Sequence, residues 1–189
     1  MASAESQCKA KLLSIGEFVS ELRKIPAGVF DNARTLDNVL RVHLVDPETL
    51  TPYLQWDRQH YTRNLIDKTS IYELIAICWE PGQGSSIHNH QDQNCWMASP
   101  TGRLVVQNYR VVRQDLEHGK CKIEPTNTVE INQKNPVAVD PLEPVHRVYN
   151  PAEFKQRAVS LHVYSRPFDT CIVYSEQGTC GVIKLQYTT

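Results

Sequence analysis

The chain has 189 residues, 41% of them apolar and 22% charged, with a formal net charge of −1. This length suits about one domain, with a core large enough to need no disulfide staple, and the composition excludes a disordered chain. The near-zero charge argues against a nucleic-acid binder, which needs a basic footprint, and the longest purely apolar run, Leu74 to Trp79, is too short to cross a bilayer.

The opening residues show no apolar core followed by a small-residue cleavage site, so no secretory leader is expected. The six cysteines (8, 78, 95, 121, 171 and 180) contain no CxxC pair and are expected as reduced thiols in the cytoplasm. Helices come first. Leu12, Ile15, Val19 and Leu22 recur at helical steps, with Ser14 and Glu17 spaced as a capping box and Pro26 as the boundary. Leu36, Val39, Leu40 and His43 repeat that step. Asp46-Pro47-Glu48 then reads as an N-cap, a first-turn proline and an acidic first turn, opening a short helix with Leu50, Tyr53 and Leu54 on its apolar side.

Past residue 60 the pattern changes to strands and turns. Predicted strands lie at 71–79, 103–113, 129–131, 137–139, 145–149, 157–165, 171–174 and 181–187, with a charged loop at 115–122. Within 157–165 the alternation is strict. Val159, Leu161 and Val163 point one way, and Ser160, His162 and Tyr164 the other. Taken alone, that polar row reads as a solvated outer face. The expected architecture is mainly β, a sandwich or barrel, with residues 1–59 as a helical segment packed on a barrel of residues 60–189 in a single domain.

His88 and His90 flank Asn89, so on an extended segment both imidazoles leave the same face and can reach one ion. His43, His60 and His118 stand alone and read as ordinary polar residues. Gly82 precedes His88 by six positions, and Cys95 and Gly102 follow His90. This run resembles the first signature of the cupin barrels, with Cys95 in place of the acidic ligand. His146 and Asn150 supply the end of the second signature, although Glu143-Pro144 stands where a glycine-bearing turn is often found. His88, His90 and His146 therefore form a candidate metal face. Imidazole suits zinc, copper, iron or nickel, so ligand type leaves the metal open. Against the two-histidine, one-carboxylate iron site, three neutral imidazoles are one negative charge short, and a substrate thiolate could supply it.

Several blocks together narrow the choice: Tyr61-Thr62-Arg63-Asn64-Leu65, Gly84 to His90, Cys95, His146-Arg147-Val148, Ala158 to Ser165, and Pro167 to Cys171. In this order and spacing they resemble cysteine dioxygenase of the mammalian, arginine-containing type. The resemblance implies a cupin barrel with N-terminal helices. It implies Fe(II) on His88, His90 and His146, and conversion of L-cysteine and O2 to cysteine sulfinic acid, the first step of cysteine catabolism toward taurine. Arg63 would hold the substrate carboxylate through its planar guanidinium, beside Tyr61. Ser160, His162 and Tyr164 would form a relay, and Cys95 would carry a thioether to Tyr164. The implied protein is a cytoplasmic monomer acting on a small molecule, without nucleic-acid or membrane partners.

Three positions depart from that pattern. Arg166 stands where the mammalian type has a proline after a cis bond, which costs ~3 kcal/mol before any other residue, and it could place a second cation near the carboxylate. Asn89 replaces an acid between the two histidines, and Trp96 replaces a phenylalanine. Arg166 keeps 3-mercaptopropionate open as the substrate. A cupin that binds metal without catalysis is the reading from another class.

Overall fold

The computed structural model describes residues 11–139 and 144–189, so Cys8 and Glu143 lie outside the described residues. Strand β1 (Lys11–Leu13) leads into helix α1 (Ile15–Lys24). The helix starts where Ser14 and Glu17 close their capping box, an arrangement in which two otherwise orphan N–H groups find acceptors. Phe18 and Leu22 form its buried stripe, whereas Leu12 lies on β1 and is exposed, so the apolar face starts at Ile15. Asn32 caps α2 (Ala33–Leu40), and His43 falls past its end on β2 (His43–Val45), which pairs parallel to β1. The third predicted helix is a 3-10 helix, Pro47–Tyr53, capped by Asp46 as expected.

Eleven strands follow: β3 (Thr62–Lys68), β4 (Glu73–Trp79), β5 (Ile87–His88), β6 (Asn94–Thr101), β7 (Leu104–Asp115), β8 (Lys120–Ile131), β9 (Val137–Ala138), β10 (Val145–Tyr149), β11 (Ala158–Ser165), β12 (Thr170–Tyr174) and β13 (Cys180–Lys184). They form a five-stranded sheet, β3-β4-β11-β6-β9, and a six-stranded sheet, β13-β12-β5-β10-β7-β8. Ile75, Ile77 and Met97 from the first meet Leu104, Val106 and Val148 from the second, so the sheets face each other across one apolar interior. The architecture is mainly β, two facing sheets with the helices packed outside, as expected.

The predicted charged loop is a short turn at 116–119, and the chain from Lys120 to Ile131 is one long strand paired along β7. Polar residues conceal it because most of β8 faces solvent, leaving no apolar run to read. Strands β3 and β6 were not anticipated either. Gly82 (φ +89°) and Gly102 (φ +68°) occupy left-handed turns, and a Cβ on Gly102 would lie 2.5 Å from the Arg157 carbonyl oxygen, so both positions require glycine.

The helices cover the outer face of the five-stranded sheet. Leu74, Ala76 and Cys78 of β4 and Val159, Leu161 and Val163 of β11 pack there against Phe18, Leu22, Leu36 and Leu50. This reverses the reading of Ser160, His162 and Tyr164 as a solvated row: those three are buried inside the barrel. Both faces of β11 are covered, one by helices and one by the opposite sheet. Truncating Phe18 or Leu36, both fully buried, is expected to cost about 2–5 kcal/mol. Among the described residues no helix is long and apolar enough to cross a membrane.

Candidate functional site

Three elements deliver the histidines. His88 ends β5, His90 follows it, and His146 on β10 is the direct cross-strand partner of His88. Left-handed Gln91 and Asp92 then turn the chain toward β6. The three imidazole centroids lie 4.7–5.1 Å apart, and one nitrogen from each falls within 4.8 Å of the others. His88 Nδ1 lies 2.9 Å from the Ser86 carbonyl oxygen, which must receive its N–H and so leaves Nε2 with a free lone pair. Both ring nitrogens of His90 are buried, and among the described residues neither makes a well-formed hydrogen bond, the Pro144 backbone being the one backbone group that acts on the ring. A buried acceptor with nothing to bind is costly, and a cation at the centre of the three rings would satisfy it. These residues fit a metal ion held by three imidazoles.

Burial keeps the rings neutral, as ligation requires. It lowers the His88 pKa to about 4, and it holds His90 and His146 well below the ordinary range, with neighbouring imidazoles adding to the effect. Burial likewise takes His162 down to about 3. Each of these groups has a folded pKa below its unfolded value of about 6.5. Their contribution to stability is therefore complete above pH ~6.5 and declines as pH falls toward the folded values, because only the unfolded chain takes up the protons. The metal-free protein is expected to show a falling Tm from pH 7 to pH 4.5 in thermal melts. A flat Tm across that interval would mean the imidazoles charge freely in the folded chain.

The polar face of β11 stands beside this cluster. Ser160 Oγ lies 2.8 Å from His162 Nε2, and Tyr164 Oη lies 3.1 Å from His162 Nδ1. One further member of this row escaped the sequence reading. Trp79 Nε1 donates to Ser160 Oγ at 2.9 Å. An indole can only donate, so Ser160 Oγ accepts from Trp79, and among the described residues His162 Nε2 is the one acceptor in reach of the serine proton. The neutral ring then carries its proton on Nδ1 and donates to Tyr164 Oη, leaving the tyrosyl proton free to point elsewhere. Nothing in the sequence around Trp79 marks this role; it follows from the antiparallel register of β4 and β11, which sets Ile77 opposite Ser160 and Trp79 opposite Ala158.

Tyr61, Arg63, His88, His162, Tyr164 and Cys171 line one pocket. Arg63 is the only charged residue among those lining it, and among the described residues its buried Nε has no hydrogen-bond partner. Burial works against the guanidinium charge, but Tyr164, Tyr61 and Glu73 outweigh it and hold the Arg63 pKa above its ordinary value. Tyr61 stacks on Trp79, with centroids 4.7 Å apart, and forms a wall. Cys95 and Tyr164 are directly opposite on β6 and β11, and both are buried. Burial and the Cys95 thiol raise the Tyr164 pKa, so its hydroxyl stays protonated.

Arg166 is not in this pocket. Its side chain is half exposed and its Nη2 lies 3.5 Å from Asp31. Asn89 binds the backbone of β12, accepting from the Ile172 N–H at 2.8 Å. Trp96 points to the helices, stacks near Phe18 and donates to Asp37. Asn150 braces the turn at Gly82 through the Trp79 and Gln156 carbonyls.

The family model for cysteine dioxygenase type I matches residues 1–177. The cysteine dioxygenase type 1 of Rattus norvegicus is 30% identical over 166 residues, 87% of this chain and 80% of that protein. The Danio rerio enzyme of the same name is 26% identical over 176 residues, 92% of this chain and 86% of that protein. Among solved structures, a cupin superfamily protein from Desulfitobacterium hafniense superposes with a TM-score of 0.43 at 9% identity, covering 60% of this chain and 84% of its own.

Proposed function

This chain belongs to the cysteine dioxygenase type I family, a thiol dioxygenase by that membership, and we propose that it converts L-cysteine and O2 to cysteine sulfinic acid at Fe(II) held by His88, His90 and His146. The observation that carries the choice of substrate class is the buried, unpartnered Arg63 Nε in the same pocket as His88. A pre-formed cationic fork beside a neutral metal-binding face suits a molecule bearing a carboxylate at one end and a thiolate at the other. The ferrous ion would supply activation of O2 beside the thiolate sulfur. Both oxygen atoms end on that sulfur, so RSH plus O2 balances as RSO2H.

The protein's own part is binding and orientation. Arg63 takes the carboxylate, and Tyr61 and Trp79 close that side of the pocket against water. Tyr164 presents its free proton toward the reacting end, held by His162, Ser160 and Trp79. A neutral relay with fixed polarity donates one hydrogen bond without adding charge.

Oxygen uptake by the iron-loaded protein with each thiol tests the proposal. Cysteine is expected to react fastest, with 18O2 placing both labels in the sulfinate. A faster reaction with 3-mercaptopropionate would reassign the substrate. No uptake with any thiol would leave a metal-binding cupin without this activity.

We also propose the Cys95–Tyr164 thioether, which the direct cross-strand pairing favours. The bond forms between sulfur and the ring carbon beside the hydroxyl, with loss of two hydrogens whose electrons pass to O2. After turnover, a fraction of the protein is expected to weigh two hydrogens less, and that fraction should vanish in Cys95→Ser and in Tyr164→Phe. A Cys95 still fully alkylatable in the denatured protein after turnover would exclude the bond.

A further inference from the structure

Away from the metal face, two thiols meet where the tip of the β7–β8 ribbon touches the β12–β13 hairpin. Lys120 and Thr179 form an antiparallel bridge there, flanked by backbone hydrogen bonds from Cys121 to Gly178 and from Cys180 to Gly119. Cys121 and Cys180 each stand one residue beyond that bridge, on opposite sides of it. In an antiparallel pair these are diagonal positions on one face. The side chains lean toward each other. Cys121 Sγ donates to the Thr179 carbonyl at 3.1 Å, and Cys180 Sγ to the Lys120 carbonyl at 3.2 Å, so each thiol lies on the residue preceding the other cysteine. Both are partly exposed, whereas Cys78, Cys95 and Cys171 are buried.

We propose that Cys121 and Cys180 form a reversible disulfide by exchange with small anionic disulfides, tethering the hairpin that walls the pocket to the β7–β8 ribbon. Cys121 opens on a cleft lined by three cations, Arg113, Lys120 and Lys122, against one acid, Asp115, an excess of positive charge that attracts a carboxylate-bearing disulfide. The Cys121 thiolate attacks one sulfur of that disulfide and expels the first small thiolate, leaving a mixed disulfide. The Cys180 thiolate then attacks the Cys121 sulfur and expels the second. Two electrons pass from the protein to the small disulfide, and the two thiol protons end on the two released thiols.

The consequence follows from the sheet. Diagonal partners stand about 7–8 Å apart at Cα, beyond the usual disulfide span of about 4.4–6.8 Å, so closing the bond tightens and locks a contact that two backbone hydrogen bonds already hold. A bond closed under tension is readily reduced, as a reversible device requires. The hairpin carries Cys171 and Val173 on β12 and Ile183 on β13, all facing the pocket. The site is independent of the thiol-oxidation proposal, since neither cysteine touches the pocket.

Incubation of the iron-loaded protein with oxidised glutathione under anaerobic conditions tests the proposal, followed by denaturation, alkylation and peptide mapping. The expected result is loss of two alkylatable thiols, a peptide joining Cys121 to Cys180, and full recovery on reduction. Cystamine, a cationic disulfide, is expected to react more slowly at low salt. Cys180→Ser should stop at a glutathione adduct on Cys121, and Cys121→Ser should form no cross-link. Slower amide exchange over residues 171–184 should accompany closure. The proposal is overturned if Cys121 and Cys180 both remain alkylatable, or if the wild-type protein keeps a stable adduct at Cys121 without closing the ring.

Discussion

Replacing His88, His90 or His146 by alanine is expected to remove most of the bound metal and, with it, the O2 uptake. The three rings supply all the candidate ligands found in one cluster among the described residues. With one ring removed, only two ligands of that cluster remain for a divalent ion. Loss of an outer hydrogen-bond partner to a metal ligand costs about 10–100-fold in affinity, so loss of the ligand itself should exceed that range. Metal content by elemental analysis, with circular dichroism as a control for folding, measures the effect. Full metal retention in all three variants would eliminate the site.

Arg63→Ala should raise KM for cysteine steeply. Removing one partner of a buried charged pair costs on the order of 2–5 kcal/mol, or about thirtyfold to a few thousandfold in KM. Arg63→Lys should recover only part of the loss, because an ammonium cannot make the two parallel hydrogen bonds of a guanidinium. Cysteamine, which has no carboxylate, provides the internal control: its weaker turnover should be almost indifferent to the substitution. Arg166→Ala should leave KM unchanged, because that side chain lies at the surface beside Asp31. An unchanged KM in Arg63→Ala, or a large change in Arg166→Ala, would reverse the assignment of the two arginines.

The histidine pair, the capping box at Ser14 and the first-turn Pro47 were legible because each is a local pattern, in which residues a few positions apart must meet for steric or hydrogen-bonding reasons. The full extent of β8 was not legible, because a solvent-facing strand carries no apolar period and its pairing along β7 is set by the turn at 116–119. Trp79 went unnoticed for a related reason. Its indole and the Ser160 hydroxyl are 81 positions apart, and only the register of β4 against β11 makes them neighbours.

The sequence by itself determined the chemistry available: three imidazoles, one guanidinium in its motif, a thiol and a phenol, together with the alternation of β11. Only the tertiary structure decided where that chemistry points. Alternation separates two faces of a strand but cannot say which one is interior. The helices covering Val159, Leu161 and Val163 turned the polar row of Ser160, His162 and Tyr164 inward. Likewise both arginines were open to the carboxylate role on composition alone. The pairing of β3 with β4 carried Arg63 to the pocket, while Arg166 stands half exposed beside Asp31, where water screens what a distant carboxylate could offer.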